Sequence, residues 1–388
     1  MKEQLYPILT GVLFLTFVLV LNRLFLLADL IINKKVEFLL VLKLFMFMLP
    51  STLSLTIPMS VLISVIIAMS RLSADSEIVA LHASGISLMH IVRPLIISGS
   101  VFFILMMLFN ETLVVYSNRG YNRVFIQIVK SSPIAVLEEG IFTSIGERTI
   151  WVEKIDRESG SLRNIVLYGR NESEGWDIVR AERGTWKQNS DGSRALHLFK
   201  GRLFSSEFST GSYSYVDFSN GSLEILMSES RIAHHEDEEK INPGELNSFE
   251  LFRMLRSLKQ SYKGERDIAL FWVEFYKKHS IPFSCLVFSL IGAPLGVFSR
   301  RSGRGIGFSI SIIIFFVYYV LFMVGQSMAI KGVVHPFIGV WNANIILLIT
   351  GVLLLVYKEK IEAMSIEVEH LIQMIKSGAF LSGTKKLL

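Results

Sequence analysis

Six apolar runs dominate the chain: about Tyr6 to Ile32, Leu44 to Ser70, Ile91 to Tyr116, Ile268 to Phe298, Ile306 to Ile330 and Phe337 to Tyr357. Each is long enough to cross a hydrocarbon layer of ~30 Å as a helix rising ~1.5 Å per residue. Three fall in the first 116 residues and three in the last 121, with a polar stretch of roughly 150 residues between them. The pattern predicts a membrane α-helical protein of six transmembrane helices with a large extramembrane domain inserted at its centre.

Inside the insert the period changes. Arg148–Ile155, Asn164–Gly169, Trp176–Ala181, Ala195–Lys200 and Ser212–Phe218 are rich in β-branched and aromatic residues, several alternate, and Gly, Asn, Asp and Ser punctuate them. This spacing predicts an all-β sandwich or jelly roll. Asn118 to Lys130 reads as a helical stalk before it. Asn247 to Lys263, with Phe249, Leu251, Phe252, Leu255 and Leu258, reads as an amphipathic helix returning to the membrane. The expected division is residues 1–116 for spans one to three, 117–267 for the β domain with its stalks, 268–357 for spans four to six, and 358–388 for a C-terminal tail. No repeat of fixed period is evident.

Composition agrees with a membrane protein: 51% of residues are hydrophobic, 19% are charged, and mean hydropathy is +0.48. The net charge of +5 does not indicate nucleic acid, because the basic residues are scattered among the spans rather than clustered with aromatics. The lone Cys285 rules out an internal disulfide framework. The first span is too long for a signal peptide and no small-residue cleavage site follows it, so it reads as retained. With the N-terminus inside, the short cytoplasmic loops hold Lys2, Arg71, Arg93, Arg300, Arg301, Arg304, Lys358 and Lys360, against Lys34, Lys35, Lys43 and Lys331 outside. That bias predicts cytoplasmic termini and an outward, periplasmic central domain.

Enzyme chemistry finds little support. No G-x-x-x-x-G-K-[ST] occurs; Gly378 to Lys386 has the wrong order, and Gly303-x-Gly305-x-Gly307 opens a span with no βαβ context. His234-His-Glu-Asp-Glu-Glu239 reads as a solvated charged linker rather than a metal site. No Ser, His and acid set stands out.

Between spans two and three the chain reads Ser73-Ala-Asp-Ser-Glu-Ile-Val-Ala-Leu-His-Ala-Ser-Gly-Ile-Ser87. A helix start at Ser73 or Asp75, an early carboxylate, small and apolar residues and a glycine stop make a short helix that is too short to span. Two readings are open: an interfacial helix that reverses the chain, or a coupling helix whose small face docks on a cytoplasmic motor. The stretch Glu77-Ile-Val-Ala-Leu-His-Ala-Ser-Gly-Ile-Ser resembles the E-x-x-A-L-x-A-x-G-I-S coupling segment of the lipopolysaccharide-export permeases, the LptF/LptG family. Pro50 and Pro58, Ala181 and Gly184, and Pro294-Leu-Gly296 followed by Gly303-Arg304 match that family in order along the chain. Tyr116 departs from it, standing where a proline is expected at the close of span three.

The resemblance implies a periplasmic β-jelly-roll domain and an ABC-transporter permease with no ATPase and no cofactor of its own. Its implied partners are a second LptF/LptG-type permease, a dimeric cytoplasmic ABC ATPase (LptB-like) that carries ATP and Mg, periplasmic bridge proteins (LptC/LptA-like), and lipopolysaccharide in a bacterial inner membrane. It assigns motor coupling to Asp75, Glu77, Ala80, Leu81, Ala83 and Gly85. Ionisable residues near span one carry a second expectation, since charge at depth is costly unless paired or hydrated. Arg23, Lys34 and Lys35 read either as interface anchors or as contacts to the phosphates of an anionic glycolipid. Arg300, Arg301 and Arg304 read as topology determinants that also suit contact with an ATPase or anionic lipid. Two other functions stay open at this level: an ABC-type exporter of another lipid or lipoprotein, and a non-transporting membrane sensor with a periplasmic ligand-binding domain.

Overall fold

The computed structural model describes residues 2–34, 36–131, 137–145, 148–156, 160–170, 175–188, 194–207, 212–219, 221–227, 242–260, 265–298 and 303–376. Six of its helices contain segments long and apolar enough to cross a membrane: Gln4–Leu21, Phe38–Ala74, Leu88–Val129, Ile268–Val297, Gly307–Ile330 and Pro336–Tyr357. They lie in helices α1 (Lys2–Ile32), α2 (Phe38–Ala74), α4 (Leu88–Phe109) with its continuation α5 (Val115–Ser131), α7 (Glu265–Phe298), α8 (Gly303–Ile330) and α9 (Pro336–Lys376). The short α3 (Glu77–Ala83) links α2 to α4, and α6 (Ser248–Gln260) precedes α7.

Three boundaries differ from expectation. Span two continues through Ser73 to Ala74, so the coupling helix starts at Glu77 and not at Ser73 or Asp75. The apolar run of span two gives no signal at Ser73, whose hydroxyl is satisfied inside the bundle. The stalk at 118–130 is not a separate helix but the extension of span three, reached through a π-helical turn at Asn110–Val114. That irregularity ends just before Tyr116, and π-turns are a recognised cause of helix bending. The returning amphipathic helix is present as α6, with Leu251 and Leu255 buried.

Residues group into two compact units. The first holds Met1–Leu21, Leu49–Asn118 and Pro243–Leu388. Within it α2 and α7 are the most buried spans, while the membrane segments of α8, α1 and α4–α5 are the most exposed. Leu62, Ile66, Val287, Phe288 and Ile291 fill the core between them. Apolar side chains that stay outside, such as Phe14, Phe17, Phe316 and Val317, suit lipid or another membrane protein rather than water.

The second unit holds Asn22–Met48 and Arg119–Asn242. It contains a seven-stranded antiparallel sheet: β1 (Thr143–Ile145), β2 (Arg148–Asp156), β3 (Ser161–Arg170), β4 (Trp176–Gln188), β5 (Arg194–Glu207), β6 (Ser212–Asp217) and β7 (Ser222–Met227). β1 to β6 pair in sequential order. One edge of β5 is shared: Arg202–Glu207 pair with β6, and Arg194–Phe199 pair with β7. The described pairings run in sequence order with a divided last edge, and do not by themselves establish the expected jelly roll.

Four strands change phase at one line. Alternation and register put Val152, Ile165, Ala181 and Gly201 inside in one row, then two consecutive residues of each strand face out, then Ile155, Leu162, Gly184 and Leu198 are inside in the next. The outward pairs are Glu153-Lys154, Arg163-Asn164, Glu182-Arg183 and Phe199-Lys200. Asn164 and Lys200 carry positive φ, 47° and 54°. Each ladder skips one pair at this line and resumes in the same register, so it is a crease that lets one sheet curl over its own core of Ile150, Leu162, Ile165, Leu196 and Leu198.

Candidate functional site

The α3 segment buries one large side chain in the helical unit. Ile78 is 2% exposed and packs with Val61, Val65, Met69, Leu88, Val92, Ala293 and Val297. Glu77, Val79, Ala80 and Ala83 are exposed, with Leu81 partly covered. The helix therefore shows outward a carboxylate and a face of small and apolar residues. Its end is built by backbone bonds: Ile86 N–H donates to Leu81 O at 3.1 Å and Gly85 N–H to His82 O at 2.9 Å. This is the Schellman arrangement, and it requires the left-handed φ of +83° that Gly85 adopts. Asp75 lies before the helix and pairs with Arg71 at 3.7 Å, so of the expected coupling residues it is the one that belongs to the close of α2.

From α3 the packing leads directly into the bundle. Ser73 Oγ donates to Val297 O and Ser70 Oγ to Gly296 O, each at 3.2 Å. A Cβ at Gly296 would sit 2.5 Å from Met69 Cβ and 2.8 Å from Ile66 O. Only glycine admits α2 and α7 at this separation, which leaves little slack for one to move without the other.

A second polar set was not anticipated. Glu111, in the π-turn, accepts Ser248 N–H at 2.9 Å and also the Ser248 hydroxyl. Asn247 and Glu250 form a capping box at the start of α6, each side chain accepting the other's backbone N–H at 2.8 Å. Lys278 of α7 is 8% exposed, and Glu111, Glu274 and Glu250 supply the opposing charges around it. Asn110 accepts from Ser54 at 2.7 Å; Asn118 accepts from Ser51 at 2.7 Å and donates to Gly244 O at 2.8 Å. The π-turn thus ties α2 and α6 together through hydrogen bonds and sets the Glu111 carboxylate among the charges around Lys278 of α7. The signal was in the chain: Glu111 and Lys278 are ionisable residues inside apolar runs.

Of the residues expected at a glycolipid headgroup, Arg23 and Lys34 are described. Arg23 is exposed and forms no ion pair with Asp29. Asp29 is instead taken by Asn33 at 2.6 Å and by Lys34 at 3.8 Å, the Lys34 side chain being 10% exposed. Lys35, Arg300, Arg301 and residues 234–239 and 378–386 lie outside the described residues, and Arg304 is described in its backbone alone. Among the described residues no group of His, Cys, Asp and Glu has the makings of a metal site.

Comparison with known proteins agrees with this architecture. Residues 1–357 match the family model described as "Lipopolysaccharide export system permease LptF/LptG". Curated relatives include the lipopolysaccharide export system permease protein LptF of Escherichia coli strain K12, 21% identical over 311 residues, which is 79% of this chain and 79% of that protein. The LptF of Shigella flexneri matches to the same extent. A family match spanning six apolar helices and the β insert between them settles membership: the chain belongs to the LptF/LptG family of lipopolysaccharide export permeases.

Proposed function

We propose that this protein is the membrane-spanning half of an ABC exporter, extracting lipopolysaccharide from the inner membrane and passing it to its outward β domain and on to a periplasmic bridge. The observation that carries the reading is α3: a helix whose buried side chain is Ile78, presenting Glu77, Val79, Ala80 and Ala83 outward. In this reading the small residues admit a motor surface closely, and Glu77 makes a charge-assisted contact to a basic or amide group on it. ATP binds and is hydrolysed on that separate subunit, with Mg. Closure of the motor dimer pushes α3, and the Ser70–Gly296 and Ser73–Val297 contacts carry the push from α2 into α7. A cavity shared with a second permease then narrows and expels the lipid. The apolar faces of α1 and α8 suit that partner and the acyl chains.

In this reading both termini are cytoplasmic and the β domain is periplasmic, as the loop charges favour. Lys34 orients against Asp29 at the outer end of span one, where the pair is able to exchange its carboxylate for a lipid phosphate. Copurification from native membrane, followed by mass spectrometry of proteins and lipids, tests the assignment. The expected result is a second permease, an ABC ATPase and lipopolysaccharide. Recovery of the chain with none of them, or with a signalling enzyme in their place, overturns it in favour of the sensor reading.

A further inference from the structure

The crease of the β sheet carries an unneutralised basic row. Lys154 lies directly opposite Arg163, Arg163 opposite Arg183, and Arg183 opposite Phe199. All four face outward. Directly opposed residues have Cβ atoms about 5 Å apart, and like charges in that relation destabilise a sheet. Among the described residues, none of Lys154, Arg163, Arg183 and Lys200 forms an ion pair within 4 Å. The nearest carboxylates along the strands are Glu153 and Glu182, next in sequence to Lys154 and Arg183, and Glu153 accepts a bond from Asn164. Asp217, beyond β5, is committed to Ser219, Tyr215 and Arg202.

Beside this row lies a groove of about 930 Å³, lined by Arg163, Arg183, Phe199, Lys200, Ser219 and Ser222 among others. Gly184 contributes no side chain to it and leaves backbone as part of its floor. Cations on one side, hydroxyls on the other and an aromatic ring between them suit an oxyanion carried on a ring-sized body.

We propose that this groove binds phosphate oxyanions, with Arg163 and Arg183 as the forked donors and Lys200 as a third cation. Two sources share that chemistry: the phosphorylated sugar headgroup of a lipid, and a free phosphate compound. The lipid source rests on the export reading; the anion site does not.

The test uses the full chain in neutral detergent, with inorganic pyrophosphate titrated calorimetrically and a photoreactive residue at Thr185 exposed to lipopolysaccharide or to its dephosphorylated form. Arg163→Glu with Arg183→Glu should weaken pyrophosphate binding roughly tenfold or more, as loss of charge-assisted bonds does. Arg163→Lys with Arg183→Lys should keep most of it. The melting temperature of the glutamate variant should not fall, because the row is self-repelling; a purely structural row would lower it. Labelling at Thr185 that weakens on dephosphorylation and in the glutamate variant supports the headgroup as source. Arginine-dependent pyrophosphate binding without labelling supports a free phosphate compound, and the fault then lies with the export reading. Pyrophosphate binding equal in wild type and glutamate variant overturns the site, as does loss of a copurifying protein in that variant with no pyrophosphate binding by wild type.

Discussion

At Asp217 three donors converge: Ser219 through its N–H and hydroxyl, and Tyr215 through its phenol at 3.0 Å. These bonds, the Ser219 hydroxyl first, hold its carboxyl below the ordinary range. A pKa lower in the folded than in the unfolded chain stabilises above the unfolded value of about 4 and ceases to do so as pH falls through the folded value. Asp217→Asn should therefore flatten the loss of β-domain stability below about pH 4, read as tryptophan fluorescence against temperature. An unchanged pH slope would show that the carboxylate does not anchor this turn. Glu111 offers a second test at this scale. Glu111→Ala leaves the first N–H of α6 without its acceptor, which costs about 1–3 kcal/mol if the site stays dry. Hydrogen exchange at Leu251 and Leu255 should accelerate roughly tenfold or more. Equal rates would mean that water replaces the carboxylate. Single residues were unevenly legible. Gly85 declared a helix stop because few other residues tolerate that φ, whereas Glu111 and Lys278 hid inside runs read for their average hydrophobicity.

Elements were legible wherever one period persists. The six spans and α6 follow from apolar runs and from a 3.6-residue stripe. Boundaries moved where two helical signals abut, at Ser73 and at the π-turn, since neither Gly nor Pro marks a break there. The crease had a readable trace: each of β2 to β5 carries an outward doublet that interrupts strict alternation. What one strand cannot reveal is that the doublets align, because register belongs to the pairing and not to the strand. The close approach of α2 and α7 is likewise a property of the pair. Gly296→Ala should already lower the melting temperature and membrane abundance, and Gly296→Leu should do so more strongly, in keeping with the ~1–3 kcal/mol typical of overpacking. Wild-type behaviour of the leucine variant would remove the tight α2–α7 contact from the coupling route.

For the whole molecule, the layout of three spans, a β insert and three spans was legible from hydropathy, and the chain's family from one local motif set within that layout. A jelly roll is distinguished by strand pairing rather than by strand content, and the described pairings do not establish one. Orientation yields a direct prediction. Tyr213 is 87% exposed, so Tyr213→Cys in a Cys285→Ala background should react with a membrane-impermeant maleimide in cells whose outer membrane alone is opened. Reaction only after the inner membrane is broken would reverse the topology.

The central claim is that movement at α3, driven by a separate ATPase, expels lipopolysaccharide through this protein. Its most direct test is ATP-dependent release of lipopolysaccharide from vesicles holding this chain with its copurified permease and ATPase, comparing wild type with Glu77→Lys. The account predicts release by wild type and little or none by the variant, with membrane insertion intact. Normal release by Glu77→Lys, or wild-type vesicles that hydrolyse ATP and keep their lipopolysaccharide, would contradict it.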